Sequence, residues 1–165
     1  MPATTKVPLG AATLNRMYYL DVDTTPDAAA TWVAVNGIKE FKPNFESDLQ
    51  DDSDFDSNGY KSSTKTAEAW SLETTIVRKV TAADETAYDP GQEFLRDHSV
   101  GKMGNAARVH VRFYEMTEDG PREEAYDGYA SVGWAPSGGT METLNEVEVV
   151  LTGQGKLNAI THPDA

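Results

Sequence analysis

The chain has 165 residues, which suits one domain and lets ~70% of the unfolded chain's surface be buried. A formal net charge of −13 excludes a surface built to grip nucleic acid or an anionic membrane, because both need clustered Lys and Arg. With no cysteine, disulfides, thiolate nucleophiles and Cys-based zinc sites are excluded too, and a hydrophobic fraction of only 39% points to polar loops or arms outside the core.

Residues 1–16 show no sustained period, and Pro2, Pro8 and Gly10 favour an extended arm. The arm lacks a charged start followed by a long apolar run, so it is not read as a signal peptide. No stretch approaches a transmembrane span, so no membrane partner is expected.

The first strand is expected over 17–23, with Tyr18, Leu20 and Val22 on one face. Residues 30–38 read as a second strand with a turn or bulge at Asn36 and Gly37. The stretch 40–66 is polar, dense in Asp and broken by Pro43 and Gly59, and reads as one very long loop. Residues 67–80 give a strand with Trp70, Leu72, Thr74 and Ile76 on its apolar face and Ser71, Glu73 and Thr75 on its wet face.

One helix is expected at about 90–99. Asp89 is the N-cap, Pro90 takes the first helical position, and Gln92 completes a capping-box pattern. Phe94, Leu95 and His98 form its apolar stripe, and Gly101 stops it.

The last third reads as a meander. Ala107, Val109, Val111 and Phe113 alternate with Arg108, His110 and Arg112. A turn over 118–121, with Thr117 paired to Arg122, sets Phe113 opposite Tyr126 and Arg112 opposite Asp127. A strand over 144–152 closes the domain, with Val147, Val149 and Leu151 on one side and Glu146 and Glu148 on the other. The expected organisation is an arm (1–16), a single antiparallel β-sandwich or barrel with one flanking helix (17–152), and a tail (153–165).

No enzyme site emerges. The lone histidines His98, His110 and His162 have no metal-ligand spacing and read as surface or interface residues. There is no nucleophile elbow and no complete phosphate-binding loop. The segment Asp54-x-Asp56-x-Asn58-Gly59 matches the first half of a calcium loop, but Lys65 stands where a bidentate Glu is needed. No cofactor is expected. A calcium- or carbohydrate-binding β-sandwich module is the alternative from another class, because Trp32, Trp70 and Trp134 are available for stacking on sugars.

Three stretches carry a resemblance to a known family: Thr31-Trp32-Val33-Ala34-Val35-Asn36-Gly37-Ile38, Asp54-Phe55-Asp56-Ser57-Asn58-Gly59-Tyr60-Lys61 running on to Ala69-Trp70-Ser71-Leu72, and Glu146-Val147-Glu148-Val149-Val150-Leu151-Thr152-Gly153-Gln154-Gly155. In these, and in its order of elements, the chain resembles the major tail tube proteins of long-tailed, non-contractile bacteriophages. The resemblance implies hexameric rings that stack into a virion tail tube, subunits made in the bacterial cytoplasm, and strands joined into one barrel around a lumen. It implies tape measure, tail terminator and tail tip proteins as partners, with DNA passing through unbound. It also implies that the long loop, with Asp48, Asp51, Asp52, Asp54, Phe55, Asp56, Tyr60 and Lys61, reaches a neighbouring subunit or ring. An acidic wall repels DNA and lets it slide, which makes Glu73, Glu146 and Glu148 the lumen candidates. The Arg108, His110 and Arg112 stripe fits a subunit interface, or a pairing with Asp127, better than a lumen wall. The tube subunit of a contractile tail or secretion apparatus is the related alternative.

Overall fold

The computed structural model describes residues 2–116 and 121–164. Among these, seven strands form one antiparallel sheet: β1 (Tyr18–Asp23), β2 (Trp32–Ala34), β3 (Ile38–Asp51), β4 (Ser63–Val77), β5 (Arg108–Glu115), β6 (Ala125–Pro136) and β7 (Glu146–Ala159). One helix, α1 (Pro90–Asp97), lies between β4 and β5. The strand order is β2-β1-β5-β6-β7-β4-β3, so β2 and β3 are the edges.

The sheet curls over its own core. Phe41 of edge strand β3 stacks on Tyr18 of β1, ring centroids 5.3 Å apart, and meets Phe113 of β5 at 5.9 Å. Asn15 donates from Nδ2 to the Phe41 carbonyl at 2.8 Å across the same gap. The expected sandwich or barrel is thus one sheet folded on itself. Its inside follows the period of two: Leu20 and Val22, Val109 and Val111, Ala130 and Val132, Val147 and Val149, Leu72 and Ile76 are all buried. Full burial of such side chains contributes ~1.5–3 kcal/mol each.

Helix α1 lies against this body and buries Leu95 in the core. Asp89 accepts from the Gln92 backbone N–H at 3.2 Å and Pro90 opens the helix, as the sequence predicts. The Gln92 side chain does not complete the box. Its Nε2 donates to the carbonyls of Asn36 (2.7 Å) and Val77 (3.0 Å), tying the β2–β3 turn to the end of β4. Gly91 is required for this docking, since a Cβ there would lie 2.4 Å from the Ala34 carbonyl oxygen. The helix ends at Asp97, slightly earlier than expected, and Gly101 turns the chain at φ +70°.

The register Phe113–Tyr126 and Arg112–Asp127 is present. The turn that was to set it rests on residues outside the described ones. Three readings are corrected. Residues 30–38 are two strands, because Gly37 at φ +79° turns the chain between β2 and β3. Most of 40–66 is paired backbone, leaving a connection of only 52–62. Pro43 does not break β3, because an edge strand can turn the side that lacks an N–H away from its partner. The tail begins late: β7 continues through Gly153 and Gly155 to Ala159. His162 then folds back, buried, with Nε2 2.6 Å from the Glu115 carbonyl. The sequence carried no signal for that contact.

Candidate assembly surface

The β3–β4 hairpin changes character along its length. From Phe41 to Ile38, and from Trp70 to Val77, it is part of the body, with Trp70, Leu72, Thr74 and Ile76 buried. Beyond that point every residue of 45–51 and 63–69 is exposed, so the outer ribbon projects with neither face covered. Leu49 is 61% exposed, and Phe55 at the tip is fully exposed. Of the eight loop residues predicted to reach a neighbour, Asp48 and Asp51 lie on the outer ribbon and the other six on the connection 52–62, all exposed.

The half-match to a calcium loop has a local explanation. Asp54 accepts from the Asp56 backbone N–H at 3.0 Å and from the Ser57 hydroxyl at 3.1 Å, as the N-cap of a single helical turn. Asn58 and Gly59 then carry the chain through positive φ. Among the described residues no group of three or more His, Cys, Asp or Glu side chains is placed to hold a metal ion.

Two of the three residues of the basic stripe, His110 and Arg112, meet carboxylates within the chain, while Arg108 is exposed and lies 3.8 Å over the Tyr129 ring. On the outer face of β1 and β5, Arg112 donates from Nε to Asp21 at 2.8 Å, and the Tyr114 hydroxyl donates to the same carboxylate at 3.1 Å. Burial, with the Asp21 charge beside it, pushes the Tyr114 phenol up to about 12. His110 lies between Asp127 (3.0 Å) and Asp23 (3.3 Å). Burial alone would raise the Asp23 carboxyl, but N–H groups of Thr25 and Thr31 together with His110 hold it below the ordinary range. Trp32 covers the cluster, 4.9 Å from the His110 ring and with the Arg112 guanidinium 4.6 Å from its own. The pairing with Asp127 expected for the stripe therefore falls to His110, and Arg112 takes Asp21. The alternation of Asp21 and Asp23 in β1 against Arg112 and His110 was the available signal.

Glu73 and Glu148 are exposed on the non-core face of β4 and β7, and Glu146 is half-buried beside them. Lys39 lies 2.9 Å from Glu146, and Lys42 lies 3.8 Å from Glu73.

No sequence-family model and no curated protein matches the chain. Solved structures do. The SPP1 tail tube subunit superposes with a TM-score of 0.63 at 15% identity, over 90% of this chain and 80% of that one. The chain has the tail tube fold. A subunit of the tail of the empty gene transfer agent particle, refined with C6 symmetry, gives 0.60 at 15% identity over 91% of this chain and all of that one. A chain of the six-fold symmetrised anti-feeding prophage baseplate gives 0.60 at 9% identity, over 94% of this chain and 99% of the other. The tail tube fold accounts for the curled sheet and its single flanking helix. No helix among the described residues is long and apolar enough to cross a membrane.

Proposed function

We propose that the chain is the structural subunit of a bacteriophage tail tube, assembling with copies of itself into stacked rings in the virion tail. The observation that carries this reading is the fit to tail subunits over nine-tenths of the chain, joined to a projecting ribbon with both faces and both edges uncovered. A strand edge left open on an isolated chain invites pairing, and a tube made of joined sheets removes it. The proposal includes hexameric rings, tape measure, terminator and tip proteins as neighbours, and DNA moving through the lumen without specific binding. A binding-module reading has less support: Trp70 is buried, and Asp54 spends its carboxylate on its own turn.

Negative-stain electron microscopy of the purified chain over a concentration series tests this reading. Rings or hollow tubes are expected, and deletion of residues 48–63 should stop stacking. Single particles at every concentration would count against it. The lumen wall is proposed to carry Glu73, Glu146 and Glu148. Tubes bearing Glu73→Lys with Glu148→Lys should then retain DNA at low salt, while parent tubes release it. Equal release from both would remove these residues from the wall.

A further inference from the structure

Strands β4 and β7 pair from Val77–Glu146 to Ser71–Thr152 and then part, β4 leaving with β3 and β7 with β6. Trp70 stands at the fork. Its indole Nε1 donates to the Gly155 carbonyl at 3.2 Å, and Gly153 is glycine because any Cβ there would lie within 2.6 Å of that ring. The fork opens a cleft of about 440 Å³, lined by Glu68, Ala69, Trp70, Lys156 and Leu157 with the two glycines. On one wall, β4 from 63 to 70 pairs only with β3, so its edge toward the cleft carries no strand partner among the described residues.

The segment 2–14 has the complementary character. It is exposed throughout, forms no regular element, and holds Val7 and Leu9 clear of the fold at 76% and 96% exposure. Residues 1–20 contain Lys6 and Arg16 and no carboxylate, so the other twelve Lys and Arg of the chain face all 27 carboxylates. The outer hairpin holds many of these, including Glu46, Asp48, Asp51 and Asp52. Its prolines fall in one register. In an extended strand, residues two apart present their N–H and C=O to the same side. Pro2 and Pro8 are both even, so their donorless positions face one way while Thr5, Val7 and Leu9 offer a complete set of groups the other way. Proline is confined in this manner to the outer side of an edge strand. Val7 and Leu9 would also share one face of such a strand, apolar like the Trp70 and Leu157 side of the cleft, while Lys6 takes the other.

We infer that the cleft at the β4–β7 fork receives the 2–14 segment of a second copy of this chain, added as a strand along the free edge of β4. The inference rests on the self-assembly reading and specifies which surfaces meet. Ion pairing between the Lys6 arm and the acidic ribbon makes the contact sensitive to salt.

The chain lacks cysteine, so single-cysteine variants test this directly. Val7→Cys and Glu68→Cys full-length chains are mixed under mild oxidation, and the linked peptides are identified by mass spectrometry; Glu68 is exposed, lines the cleft and shares the Trp70 face of β4. Links between positions 7 and 68 should outnumber 7–7 and 68–68 links on the order of tenfold, because docking raises the local concentration of one partner at the other. High salt should reduce them. Rings with only 7–7 and 68–68 links would overturn this docking and leave the tube reading intact. Linked 7–68 dimers without rings would support the docking and count against the tube. A chain carrying both substitutions that closes on itself at high dilution would show the arm docking in its own cleft, and would overturn the inference.

Discussion

The inner and outer halves of the β3–β4 hairpin are one pair of strands in two environments. The inner half places Trp70, Leu72 and Ile76 against the core at 5% exposure or less. The outer half stays paired antiparallel from Phe45–Trp70 to Asp51–Ser63, with one register shift between Asp48 and Leu49, and has no core to face. A two-stranded ribbon is marginal by itself in water. The inner half is therefore held by burial, whereas the outer half, past the contact of the Phe45 ring with Tyr126 at 5.9 Å, has only its ladder and local bonds, such as that from the Ser62 N–H to the Ser53 hydroxyl at 2.8 Å. Strand pairing alone does not mark where the stable body ends; burial does. A partner surface is what the outer half lacks.

The contrast is broken most severely at the fork. Trp70→Ala should cost ~3–5 kcal/mol in chemical denaturation, because it empties the space that Gly128 and Gly153 leave for the ring. Leu49→Ala, on the same hairpin but 61% exposed, should stay within ~0.5 kcal/mol. Similar losses at both positions would mean that the ribbon is packed in the isolated chain. The next effect is at the helix. Gly91→Ala should cost ~1–3 kcal/mol, since the obstructing atom is the backbone carbonyl of Ala34, which cannot swing aside as a side chain can. An unchanged denaturation midpoint would show that α1 is not tightly seated on β2.

The acids sharpen the same comparison through pH. Asp23 in the body and Asp51 in the ribbon both have carboxyls held below the ordinary 3.8. A carboxyl lowered by folding adds stability that is complete above its unfolded value and is lost as pH falls through the folded one. For Asp23, bonded in the body, stability should decline as pH drops below 3.8, and Asp23→Asn should flatten that decline while costing ~1–3 kcal/mol at neutral pH. Asp51 is fully solvated beside Ser53, so Asp51→Asn should leave the acid limb of the curve unchanged. If both substitutions flatten it equally, the ribbon belongs to the cooperative unit.

Alternation and capping were legible in the sequence wherever one face of an element meets the core. The apolar face of β4, the Phe113–Tyr126 register and the Asp89 cap all depend on local pattern. The outer hairpin was illegible for the opposite reason. With both faces wet, its sequence has no period to read, and its Asp residues, with Pro43 just before it, imitate a loop. The extension of β7 was hidden by Gly153 and Gly155, which read as breakers. One is demanded by the Trp70 ring and the other by a bulge at φ +85°. Asp21 and Asp23 show in the sequence only as polar residues alternating with apolar ones, because their partners come from β5 and from the backbone of the 24–31 connection. In each case the missing information lay in contacts distant along the chain.

The smallest effect on the isolated chain isolates assembly from folding. Phe55 projects fully from the hairpin tip and touches nothing that the body needs. Phe55→Ser should shift unfolding by less than ~0.5 kcal/mol, the range for a surface change away from caps and cores. If the tip docks on a neighbouring copy, the same change removes a large apolar contact from each interface. The protein concentration at which rings first appear by sedimentation and microscopy should then rise by on the order of tenfold, the equivalent of ~1.4 kcal/mol per contact. A chain that unfolds like the parent and assembles only at higher concentration would place Phe55 in the interface. Assembly at the parental concentration would leave the tip outside it and move the contact to the ribbon faces nearer the fork.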